Sequence, residues 1–136
     1  MLAVTRALMD RYLTAWRNGD VQAAMECYTP DITLQFPAAG GRPDTTVRGR
    51  SAVVGTVLTA FAALGDAEMV VDDMLYSHKG AAMFATETAW LDDGPVSWCW
   101  AVHYRLRGDK IASISVYVDD QVALERFLSA RMQRAS

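Results

Sequence analysis

The feature that most limits what this chain can fold into is a change of hydrophobic period near Gly65. Before it, apolar residues recur about every four positions: Leu8, Tyr12 and Trp16, then Val54, Val57, Leu58 and Phe61. That spacing puts each set on one face of a helix. After it the period drops to two, as in Trp98, Trp100, Val102, Tyr104 and Leu106. Alternation of this kind marks strands with one face covered. Helices first and a meander of strands afterwards define an α+β domain with its helices on one face of a curved, mostly antiparallel sheet. The long strands are expected to curl around the first helix and leave a cavity at one end.

The punctuation gives the elements their limits. Gly19 suits the left-handed stop of the first helix, and Asp20 can cap a second from Val21 to Tyr28, before Pro30. Ile32, Leu34 and Phe36 alternate with polar neighbours as a one-sided strand closed by Pro37. The run 38–43, rich in Gly, Ala and Pro, reads as a mobile loop, and Ser51 as the cap of a third helix reaching Leu64. Four strands follow, Ala67–Tyr76, Ala81–Leu91, Val96–Arg107 and Lys110–Asp119, on connections short enough for hairpins. A final helix is expected from Asp120 to Arg134, where Arg126, Arg131 and Arg134 favour its negative dipole end.

Composition removes several classes of function. The 136 residues suit one domain, 1–136, and no repeat or change of composition divides them. A formal charge of −3 argues against a nucleic-acid module. With 51% hydrophobic and 21% charged residues the chain is not disordered. No apolar run reaches the roughly 20 residues of a membrane span. The start Met1-Leu2-Ala3-Val4-Thr5-Arg6 does not read as a secretory signal, so the expected location is the cytoplasm. Cys27 and Cys99 form neither a disulfide framework nor a metal spacing, and no metal or cofactor is expected. Four Trp, five Tyr and four Phe are a surplus for a core of this size and suggest an aromatic pocket.

The runs Tyr12–Asp20, Tyr28–Leu34, Arg48–Val54, Gly108–Ile111 and Tyr117–Asp119, in that order, resemble the nuclear-transport-factor-2-like superfamily. Within it the chain is most similar to the SnoaL-like and ketosteroid-isomerase-like groups. The resemblance implies a cone-shaped domain, often a homodimer, with an apolar pocket between sheet and helices. It also implies isomerase, cyclase, dehydratase (lyase) or hydrolase chemistry on hydrophobic small molecules without a cofactor. In this chain the three positions matching the group's pocket acids hold Phe36, Val102 and Val116. That departure leaves two classes open, an enzyme or a binding protein for a hydrophobic metabolite. A dimeric accessory subunit is a third.

Strand parity is the remaining guide. The more apolar sets are Phe84, Thr86, Thr88 and Trp90; Trp98, Trp100, Val102, Tyr104 and Leu106; and Ile114, Val116 and Val118. These sets are expected to face the cavity. With Trp16 and Phe36 they supply the expected substrate-binding residues: Trp16, Phe36, Phe84, Thr86, Trp90, Trp98, Trp100, Val102, Tyr104 and Val116. Glu87, His103, Arg105 and Asp119 fall on the opposite face, exposed to water or to the second subunit of a homodimer. Tyr12 matches the group's tyrosine whose hydroxyl binds substrate oxygen, and is the leading catalytic candidate; a core tyrosine bonded to backbone is the alternative. His103, oriented by Asp119 or Glu87, would be a base if the register slips by one residue. Asp119 otherwise caps the last helix.

Overall fold

The computed structural model describes residues 2–37, 44–120 and Leu124. The expected mobile loop at 38–43 and the final helix, apart from Leu124, lie outside the described residues. Three helices, α1 (Leu2–Arg17), α2 (Val21–Glu26) and α3 (Arg50–Leu64), accompany six strands. The strands are β1 (Tyr28–Phe36), β2 (Thr45–Arg48), β3 (Glu68–Ser77), β4 (Gly80–Leu91), β5 (Gly94–Arg107) and β6 (Lys110–Val118). They form one curved open sheet in the order β2-β1-β6-β5-β4-β3, antiparallel except for the β1/β6 pair. This is the expected α+β cone.

The helices sit where their apolar stripes direct them. Leu8, Met9, Tyr12 and Ala15 of α1 are buried, and Arg6 one turn earlier stacks 4.6 Å over the Tyr76 ring of β3. Asp20 caps α2, its Oδ1 accepting the Ala23 N–H at 3.1 Å. Three two-residue turns join β3 to β6 as hairpins closed by Ser77 and Gly80, Leu91 and Gly94, and Arg107 and Lys110. A methyl group on Gly80 would strike the backbone carbonyl of Tyr104, so β4 and β5 meet there only because the side chain is absent.

Three local expectations are corrected. The second helix ends at Glu26, and Tyr28 already pairs with Ile111 of β6. Pro30 is tolerated in β1 because the register shifts between Tyr28 and Thr33, freeing a position without a ladder donor. Ser51 does not cap α3. The cap is Gly49 at φ 91°, a left-handed conformation that favours glycine. The helix start is pinned from the side instead: Gly49 N donates to Ile32 O at 2.8 Å, and Arg50 donates twice to Tyr28 O, at 3.1 and 2.6 Å. The short, largely exposed β2 carries no alternation and was not expected.

Buried residues form two clusters. The larger joins α1, α2 and α3 to the β1, β4, β5 and β6 faces; the smaller gathers Ala89, Val96, Trp98 and Leu124. Trp100 packs against both. Among the described residues no helix is long and apolar enough to cross a membrane.

Candidate functional site

The inner face of β5 carries Val96, Trp98, Trp100, Val102 and Tyr104, as its alternation predicts, and Ile114, Val116 and Val118 continue it on β6. On β4 the expectation is reversed. Ala81, Met83, Ala85, Glu87 and Ala89 are buried, whereas Phe84 and Trp90 are 41% and 54% exposed and Thr86 shares their outer face. Phe84, Thr86 and Trp90 are therefore not pocket residues, and Glu87 is an inner-face group.

The reason is packing. β4 lies between β3 and β5, and three inward alanines leave room for the indoles of β5. Large side chains on both strands would overfill that layer. Ranking the two faces of β4 by hydrophobicity missed this, although the sequence held a better signal. Once Leu91 pairs with Gly94 across the Asp92-Asp93 turn, counting back sets Glu87 opposite Trp98. Trp98 was already assigned inward.

Glu87 is 4% exposed. Its Oε1 accepts the indole N–H of Trp100, the one hydrogen bond the described residues give this carboxyl. Burial pushes its pKa above the usual carboxylate value, and the Trp100 bond, which favours the charged form, opposes that rise. Opposite it stand Trp98, 1% exposed, and on the other side Met69 of the edge strand β3. Met69 and its inner-face neighbour Val71 are exposed, so the layer above Glu87 is open on the β3 side.

A second polar group lies at the other end of the same face. Tyr12 of α1 and Tyr28 of β1 share a hydrogen bond between their hydroxyls at 2.7 Å, with the Tyr104 ring 5.8 Å from that of Tyr12. All three are buried. Burial raises every phenol pKa, that of Tyr28 to about 12, so the hydroxyls stay neutral across the ordinary range. Tyr104 is opposite Ala81, six residues along β4 from Glu87, which at about 3.3 Å per residue is roughly 20 Å. Between the two ends lie Met83, Ala85, Val102 and Val116 on the sheet. Trp16 meets Phe61 of α3 edge-on with ring centres 5.4 Å apart. Phe36, Val102, Val116, Trp16 and Trp100 all pack on the larger cluster.

His103 is exposed on the outer face between Ala82 and Ser115. Asp119 is exposed too, and its Oδ1 accepts the Cys99 N–H at 2.6 Å. The expected capping of the last helix by Asp119 falls on residues outside the described ones. Thr86 donates to Asp72 Oδ2 at 2.6 Å on that same outer face. Among the described residues no three His, Cys, Asp or Glu converge as metal ligands.

Helices closing one face of a curved, mostly antiparallel sheet, with a carboxyl and hydroxyls on that face, define a nuclear-transport-factor-2-like protein. Residues 9–114 match the SnoaL-like domain, and the chain belongs to that family. The fold is shared with an NTF2-like protein from Burkholderia xenovorans LB400 at TM-score 0.72 and 18% identity, covering 94% of this chain and 98% of that one. Bal32a, from a soil-derived mobile gene cassette, superposes at TM-score 0.76 and 15% identity over 93% and 98% of the two chains. TerC, co-crystallised with polyporic acid, does so at 0.71 and 14% over 93% and 98%. At such identities the likeness concerns the fold alone. Comparison with curated protein sequences gives no significant match.

Proposed function

We propose that this SnoaL-like protein is a cytoplasmic small-molecule enzyme of the isomerase, cyclase or dehydratase type. Its substrate is hydrophobic and oxygenated and binds on the aromatic inner face. The observation that carries this reading is Glu87, a carboxyl buried beside Trp98 and hydrogen-bonded by Trp100. Moving a proton to or from carbon or a leaving oxygen needs a group that exchanges protons near working pH. Desolvation raises a carboxyl toward that range. The half-buried Trp100 offers a flat face to a polycyclic ligand, while the fully buried Trp98 keeps water from one side of the transfer. Glu87 thus takes the role that Phe36, Val102 and Val116 cannot, while the Tyr12–Tyr28 pair offers hydroxyls for a substrate oxygen.

The test is Glu87→Gln, assayed by mass spectrometry against a panel of flat polycyclic phenols and ketones. Turnover lost with ligand affinity retained supports the reading. Tight binding with no turnover by the wild-type protein favours instead a binding protein for a hydrophobic metabolite.

We also propose a homodimer through the outer sheet face. The row Phe84, Ala101 and Tyr117, flanked by Val70 and Leu75, leaves apolar side chains exposed there. Light scattering on Tyr117→Asp should report a monomer; an unchanged mass, or a monomeric wild type, overturns this assignment.

A further inference from the structure

Among the described residues Glu87 is held from one side only, and that asymmetry assigns its two oxygens different roles. The indole of Trp100 comes from the neighbouring strand, two residues beyond Trp98, the direct cross-strand partner of Glu87. Its N–H is a donor with no acceptor capacity, so it bonds the carbonyl oxygen of the acid and either oxygen of the carboxylate, but never a hydroxyl hydrogen. With Oε1 occupied in this way, the proton of the neutral acid resides on Oε2. The indole ring is itself fixed, since Trp100 packs against both core clusters.

Building on the proton-transfer role proposed for Glu87, we propose that Trp100 is a positioning residue that keeps Oε1 as the accepting oxygen and leaves Oε2 to exchange the proton with substrate. In the donating direction the Oε2–H bond breaks and its electron pair stays on the carboxylate. A bond forms between the proton and a substrate oxygen. The negative charge left behind is shared with Oε1, where the Trp100 N–H bonds more strongly to the ion than to the acid. The same bond steadies the carboxylate before it takes a proton from carbon. Trp100 therefore acts on the charged state of Glu87 without touching the reacting atoms.

The experiment is nuclear magnetic resonance of protein carrying labelled indole nitrogens and labelled glutamate carboxyls. In the wild type the Trp100 indole resonance should move with pH at the midpoint of the Glu87 carboxyl signal, and in Glu87→Gln it should stay still. In Trp100→Phe the Glu87 midpoint should move upward. The kcat should fall about tenfold, as expected for losing one hydrogen bond to a charged group, with KM nearly unchanged. A static indole resonance in the wild type overturns the proposal, as does an unmoved Glu87 midpoint in the variant. If Trp100→Phe does not fold, the comparison of wild type with Glu87→Gln decides alone. A resonance that tracks Glu87 while Glu87→Gln keeps full turnover would sink the enzymatic reading and leave standing only the hold of Trp100 on the Glu87 carboxyl. A static resonance with an inactive Glu87→Gln would do the reverse.

Discussion

Tyr12 and Tyr28 make a sharp test of what holds the inner face together, because each hydroxyl is the other's partner. Their oxygens are 2.7 Å apart and both side chains are buried. Tyr12→Phe leaves the Tyr28 hydroxyl facing a hydrocarbon ring, and an unpaired buried polar group costs about 1–3 kcal/mol. Tyr28→Phe does the same to Tyr12. Removing both hydroxyls leaves neither phenol oxygen unpaired, and the buried Trp16 indole N–H beside them has no full hydrogen bond to lose among the described residues. The double variant should therefore lie close to wild type rather than at the sum of the single losses. For a domain of this size each kcal/mol moves Tm by about 4 °C. Each single variant should therefore melt roughly 4–12 °C lower, and the double variant should recover most of that loss. Calorimetry or urea unfolding of the four proteins reads the coupling directly. Additive losses, or a double variant worse than either single one, would refute the reasoning and return the Tyr12 hydroxyl to the pool of groups free to bind substrate. The pair also has a pH signature. Tyr28 titrates at about 12 in the folded protein against 10.0 ordinarily, so the native state holds the extra proton between those values. Stability must then fall as pH rises through that window, and less steeply once both hydroxyls are gone.

The remaining expectations concern separate parts of the molecule. Glu87 is raised by burial, so the folded state binds its proton more tightly than the unfolded chain, and stability declines as pH climbs above 4.5. Urea midpoints of Glu87→Gln should lose that decline, and parallel curves for the two proteins would count against a desolvated carboxyl. Trp98→Ala should cost about 3–5 kcal/mol by emptying the smaller core cluster, measured by urea unfolding. Gly80→Ala should cost about 2 kcal/mol or more, because its methyl group meets the Tyr104 carbonyl and backbone must move. The exposed Arg107–Asp31 pair, 2.5 Å apart, holds the Asp31 pKa at about 2. In Arg107→Ala the midpoint of the Asp31 carboxyl resonance should move upward toward 3.8, with the melting temperature essentially unchanged.

Much of the architecture is legible in the order of the residues. The period of four in α1 and α3, the Asp20 cap and the presence of three short hairpin connections are local events. Each depends on neighbours within a few positions, so the chain specifies them without knowing its fold. The alternation of β5 was equally readable, since Trp98, Val102 and Tyr104 differ sharply from Ser97, His103 and Arg105. The same holds for the outward His103 and for the inward Val102 and Val116.

What tertiary structure alone decided is which face of β4 is dry. Local hydrophobicity favoured Phe84 and Trp90, yet burial is set by the volume that α1 and the β5 indoles leave between them, and alanines fit that volume. Glu87 comes inside with them because side chains alternate strictly and a strand cannot bury Ala85 and Ala89 while turning residue 87 outward. The start of α3 follows the same rule at shorter range. Gly49 takes a conformation that its own bond to Ile32 stabilises, helped by Arg50 reaching the Tyr28 carbonyl 22 residues away, and no cap residue beside it could report that. Sequence thus determined the elements and the family. Packing between them determined that this cone carries an acid on its inner face.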